Sequence, residues 1–169
     1  FMFIIMSLYF QEIPIMSHLL EISLIMLLSS LLSTLVNALL IYHFQSVDSL
    51  GKLATIVGTA SGFLVGTYVP MGILPNFAQV LMKCTPATYL ASLYRQVLMK
   101  EQLENTFMGN SSLLEEFQEK LGIRLNWQNL LTKEETYLIV MSICLLTFML
   151  WLVLVKISSK KKYNHFILS

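Results

Sequence analysis

Residues 58–75 read GTASGFLVGTYVPMGILP, an apolar run with glycines at 58, 62 and 66 and prolines at 70 and 75. A helix places residues four apart above one another, so Gly58, Gly62 and Gly66 fall on one face. In lipid, a face of small residues lets a second helix backbone approach closely. Pro70 and Pro75 then interrupt the helix, because proline lacks the amide donor and its ring clashes with the preceding turn. The segment is expected to be a packed membrane helix that ends in a proline-shaped turn. That arrangement belongs to a transport-type architecture more than to a simple anchor.

Composition points the same way. The 169 residues are 56% hydrophobic and only 12% charged, against roughly 25% charged in an ordinary soluble domain. The net charge of +1 matters less than where the charges sit. Ten Met and ten Phe suit lipid-facing and helix-packing surfaces. Cys84 and Cys144 lie in apolar surroundings without metal spacing and read as inert thiols. The chain opens at Phe1 inside an apolar stretch, with no basic n-region and no small-residue cleavage site. It is therefore expected to be the C-terminal piece of a longer polytopic protein.

A helical span needs about 20 mostly apolar residues. Three segments qualify: 19–44, 53–74 and 137–155, while 1–10 reads as the end of a truncated fourth span. The last span is followed by a tail, 156–169, carrying Lys156, Lys160, Lys161 and Lys162 and no acid. Lys and Arg near span ends collect on the cytoplasmic side, so the C-terminus is expected inside. Counting back, 75–135 lies outside, 45–52 inside and 11–18 outside. Residues 76–99 are moderately apolar with a break at Pro86, and read as an external hairpin of two short helices, of a re-entrant or interfacial kind that is tolerated where it is buried against protein. Residues 100–135 form an acidic external segment. Within it, Leu113, Leu114, Phe117 and Leu121 mark an amphipathic helix.

Little here supports catalysis. His18, His43 and His165 fall on different expected sides of the membrane, and no HExxH, GxSxG, CxxC or P-loop pattern occurs. His18 and Glu21, three apart, read as an interfacial polar pair. Ser30, Ser33, Thr34 and Asn37 lie on one side of the first full span. A buried Asn in hydrocarbon needs a partner, so this face is read as interhelical glue or a wet translocation path. Arg95 follows an apolar half-helix. Three readings are open for it: snorkelling to headgroups, a structural ion pair, or closure of an outer gate.

This order of features resembles the C-terminal part of bacterial type-2 ATP-binding-cassette exporter permeases. The resemblance is carried by a glycine-rich helix with a G-x-Y-x-P-x-G-x-L-P exit at Gly66, Tyr68, Pro70, Gly72, Leu74 and Pro75. An external hairpin with a central Pro86 and a closing Arg95 follows, then a last span and a basic tail. It implies an all-α polytopic membrane fold with three full spans plus the end of a fourth. It also implies a permease subunit in the bacterial cell membrane that moves a hydrophobic or amphipathic substrate outward. The hairpin would be the outer gate, and Gly58, Gly62 and Gly66 would pack helices. The implied partners are an ATPase subunit, a second permease subunit and the bilayer, with no nucleic acid. ATP-Mg would be used by the ATPase partner; this chain would bind no cofactor or metal and would not itself be an enzyme. The residues leave another class open: a non-transporting polytopic protein, of the bacteriocin-immunity or sensor-associated kind, that binds a ligand through the acidic segment.

Overall fold

The structure, a computed structural model, describes residues 16–43, 46–108 and 110–167; the expected partial span at 1–10 lies outside these. Among the described residues the regular secondary structure is all helical, joined by turns and loops, apart from an isolated bridge between Asn126 and Leu130. The helices are α1 (Met16–His43), α2 (Val47–Leu64), α3 (Asn76–Lys83), α4 (Pro86–Leu98), α5 (Lys100–Thr106), α6 (Ser111–Lys120) and α7 (Lys133–Ile167), with a 3₁₀ turn at Met71–Ile73.

Two helices are long and apolar enough to cross a membrane, His18–His43 and Lys133–Ile157, with mean hydropathies of 2.3 and 2.8. The rest of the chain covers little of them: 11% of each apolar window is buried. Their buried positions form a narrow seam, Ile22, Ile25 and Leu32 on α1 and Thr136, Val140 and Cys144 on α7. The seam is completed by α4, whose Tyr89, Leu93 and Val97 enter the same core.

α1 and α7 run parallel. The Lys133 ammonium at the start of α7 donates to the Glu21 carboxylate near the start of α1, and the buried residues follow downstream of that pair on both helices. The start of α7 is set locally by a capping box. The Thr132 amide donates to Glu135 Oε2 at 2.7 Å, and the Glu135 amide donates to Thr132 Oγ1 at 3.3 Å, so each side chain satisfies the other's free N–H. The helix therefore starts at Lys133, four residues before the expected 137. Exchanging the charges gives a direct check on the parallel register. Lys133→Glu alone sets two carboxylates together and should lower the thermal midpoint in detergent. Glu21→Lys with Lys133→Glu should restore most of the loss, the pair being worth about 1 kcal/mol at its partial exposure.

The expected span at 53–74 is corrected. α2 runs from Val47 to Leu64, starting earlier and ending well before Pro70. Its first turn carries Asp48, paired with Lys52 at 2.7 Å. Its end is set by Gly66, which adopts a left-handed φ of 72°. The Thr67 amide donates to the Gly62 carbonyl and the Gly66 amide to Phe63, both at 3.0 Å; this closes the helix in the manner of a glycine C-cap. Gly66 therefore lies outside the helix, and the three-glycine face is reduced to Gly58 and Gly62. The prolines begin elements instead of ending one. Pro70 precedes the 3₁₀ turn, Pro75 precedes α3, and Pro86 is the first residue of α4, where a missing amide costs nothing.

Candidate functional site

The side chain that ties the most segments together is Arg95. One terminal nitrogen, Nη2, donates to the carbonyls of Val65 (3.1 Å) and Gly66 (3.0 Å) at the end of α2. The other, Nη1, donates to Leu121 and Gly122, both at 3.3 Å, at the end of α6. Carbonyls at a helix C-terminus lack intrahelical donors and carry partial negative charge, so one planar fork between two such ends finds four acceptors at once. Arg95 is half-buried, and these bonds are all to main-chain oxygen. The ion-pair and headgroup readings are thereby replaced by a clamp on two helix termini.

Gly122 makes the clamp possible. It has φ 64°, and a Cβ there would stand 3.4 Å from Arg95 Nη1. The sequence reading did not single it out, although a glycine directly after an amphipathic helix is an ordinary stop signal. α4 holds the same turn by further bonds. The Ser92 hydroxyl donates to the Ile123 carbonyl at 2.7 Å, and Gln96 Nε2 donates to Ser92 Oγ at 3.0 Å. Trp127 Nε1 donates to the Tyr89 hydroxyl at 3.1 Å, and the Lys83 ammonium donates to the Asn126 carbonyl.

The other expected hairpin residues divide into two groups. Gly72 belongs to the knot: a Cβ there would stand 2.8 Å from Lys120 Cα, so the 3₁₀ turn and the end of α6 are in glycine-only contact. Gly72→Val should lower the thermal midpoint by an amount corresponding to about 2 kcal/mol, the cost of forcing two backbones apart. Tyr68 is exposed and covers α2, its ring 5.2 Å from that of Phe63; a Cβ on Gly62 would meet the Tyr68 ring at 2.3 Å. Gly62 is therefore packed by a side chain of its own loop. Gly58 has nothing within 4 Å, and α2 has no buried residue.

The polar stripe expected on α1 faces away from the seam. Ser30, Ser33, Thr34 and Asn37 are all exposed. Thr34 Oγ1 donates to the Ser30 carbonyl at 2.8 Å, and Asn37 Nδ2 lies 3.5 Å from Ser33 Oγ. His18 and Glu21 do not pair with each other. His18 Nε2 lies 3.7 Å from Glu101 Oε1, while Glu21 takes Lys133.

A cavity of about 360 Å³ opens where the starts of α1 and α7 meet α5 and α6. His18, Lys100, Glu104, Arg124, Lys133 and Glu134 are among its lining residues, over a floor that includes Val97, Leu103 and Ile123. Arg124 is fixed there: Nε donates to the Leu131 carbonyl and Nη2 to Leu130, both at 2.9 Å. Both signs of charge are thus presented around one recess. Among the described residues no three His, Cys, Asp or Glu side chains gather as a metal would require. Comparisons with family models, curated proteins and solved structures give no match to this chain.

Proposed function

We propose that the chain is part of the transmembrane subunit of an ATP-driven exporter for a hydrophobic or amphipathic substrate, with ATP hydrolysed by a separate subunit. The observation that carries this reading is the parallel pairing of α1 and α7. If both cross a bilayer in the same direction, the chain between them must cross back once. The helix available for that return is α2, about 27 Å long at 1.5 Å per residue, close to the roughly 30 Å hydrocarbon core.

Three crossings bring α3–α6 to the face where α1 and α7 begin, with the basic tail on the other, cytoplasmic, side. The open surface of α2 around Gly58 and the outward Ser30, Thr34 and Asn37 of α1 support a second permease subunit or a substrate path beside this chain. Thr34 and Asn37 bond within their own helix, and the amide of Asn37 has further donor and acceptor capacity that a neighbour would fill. The Arg95 knot ties the exit of α2 to the outer segment, so a displacement of that helix would be passed to the hairpin, which serves as an outer gate.

The test is isolation of the full-length protein from its native membrane in mild detergent. A stoichiometric P-loop ATPase, and ATP-dependent vanadate-sensitive extrusion of an amphipathic dye by reconstituted vesicles, are the expected results. The charged cavity favours a second reading, a non-transporting membrane protein that captures a ligand through 100–135. An ATPase-free protein without dye transport would favour that reading and contradict the first.

A further inference from the structure

The recess where the starts of α1 and α7 meet α5 and α6 carries both signs of charge in balance. Lys100, Arg124 and Lys133 supply cations, and Glu21, Glu104 and Glu134 supply carboxylates. Of these, Lys133 and Glu21 neutralise each other. Lys100 and Glu104 stand four apart on α5, yet among the described residues neither is in an ion pair, nor is Glu134. Arg124 is bonded to the main-chain carbonyls of Leu130 and Leu131 and not to a carboxylate. Four charged side chains thus face one recess without being spent on one another.

We propose that this recess binds a small zwitterion: one ammonium and one carboxylate or phosphate oxyanion, beside a short apolar body. Its oxyanion lies against Arg124 and Lys100, and its ammonium against Glu104 and Glu134. The site is formed within this chain and goes beyond the exporter reading. It depends neither on an ATPase partner nor on α2 crossing the bilayer.

The balance of charge selects the ligand class. A ligand with one sign of charge meets as many like charges as opposite ones, which is disfavoured, whereas a zwitterion finds a partner for each end. Volume limits its size. At about 360 Å³ the recess lies near the small end of the roughly 300–1,000 Å³ usual for ligand pockets. The floor suits an aliphatic body, with Val97, Leu103 and Ile123 buried beneath and half-buried Leu114 beside them. The walls are also held in place before any ligand arrives. Two bonds of 2.9 Å fix the Arg124 guanidinium, and the Thr132–Glu135 capping box fixes the start of α7; preorganised groups lose less freedom on binding. Two sources supply this chemistry: a free aliphatic amino acid, and the head of an ethanolamine phospholipid. The second is relevant because the recess opens at the ends of the two helices long enough to cross a membrane.

Equilibrium dialysis of the full-length protein in detergent tests the site, with L-leucine and glycerophosphoethanolamine as the two probes. Each is compared with its single-charge fragments: isocaproate and isoamylamine for leucine, glycerol phosphate and ethanolamine for the headgroup. The expected result is saturable binding of at least one zwitterion, with its fragments weaker by about tenfold. Lys100→Gln and Glu104→Gln should each weaken that binding about fivefold, as for one partly exposed hydrogen bond. Both side chains are exposed, so both variants should keep the wild-type thermal midpoint. Tighter binding of leucine assigns the site to a free amino acid, and tighter binding of glycerophosphoethanolamine assigns it to a lipid head; either supports the proposal. Binding of neither probe at millimolar concentration overturns it. So does a fragment that binds as well as its zwitterion, or binding that both variants leave unchanged. Each of these failures leaves the exporter reading standing, because that reading is decided by the co-isolated ATPase and by dye extrusion.

Discussion

Replacing Arg95 with Met should lower the thermal unfolding midpoint in detergent by an amount corresponding to about 3 kcal/mol. The side chain keeps similar apolar bulk, so the loss comes from the four carbonyls at Val65, Gly66, Leu121 and Gly122. Hydrogen bonds from a charged donor contribute about 1.5–3 kcal/mol each before non-additivity, and acceptors left in a half-buried knot add a penalty. Lys at this position keeps the charge but not the planar fork that spans both helix ends, so Arg95→Lys should recover only part of the loss. An unchanged midpoint in Arg95→Met would show that the α2 and α6 termini are held by something else. A variant that folds normally but loses transport would separate a gating contribution from the structural one.

Leu93→Ala should be comparably damaging. Leu93 is fully buried on the face of α4 that fills the seam between α1 and α7. Truncating a buried leucine costs about 2–5 kcal/mol, depending on how far the surroundings relax. The useful comparison is Leu146→Ala on α7, which removes the same atoms from an outward position, 69% exposed, and should shift the midpoint very little. Equal effects at 93 and 146 would mean that the α1–α4–α7 seam is not the core of the fold.

These two residues show what the sequence could and could not reveal. The apolar character of 19–44 and 137–155 was plain from composition alone, and the two apolar stretches His18–His43 and Lys133–Ile157 lie there within a few residues, although α7 itself continues to Ile167. The break at Pro86 and the amphipathic segment around Leu113–Phe117 were also readable, because proline placement and period carry that information directly. Arg95 stood out as a charge needing a partner, yet the partners are backbone carbonyls, which have no signature in residue type. The end of α2 was misplaced for a related reason. Glycine at 66 fits a small-residue stripe and a left-handed cap equally well, and the bonds from Thr67 and Gly66 decide between them. Pro70 and Pro75 drew attention as helix breakers, whereas each marks the start of the next element. The Thr132–Glu135 capping box was legible as T-x-x-E before an apolar run, and it places the start of α7 at Lys133.

The joining of distant segments was not legible in the same way. Glu21 and Lys133 are more than a hundred positions apart, and nothing in either neighbourhood specifies the other. Their meeting brings the starts of α1 and α7 together, and the proposed third crossing depends on that arrangement. Gly58, expected in a packed face, is open within this chain, and the serine and asparagine stripe of α1 is likewise outward. Neither feature is covered by another part of the described chain, which residue type alone did not reveal.

The most direct test of the account is the sidedness of the two ends of α2. Single cysteines at Asp48 and Ser112, in a protein lacking Cys84 and Cys144, can be treated with a membrane-impermeant maleimide in intact cells and again after permeabilisation. The account predicts that Ser112→Cys is labelled in intact cells and Asp48→Cys only once the membrane is opened. Labelling of both from the same side would mean that α2 does not cross the bilayer, and the three-crossing arrangement on which the exporter reading stands would be wrong.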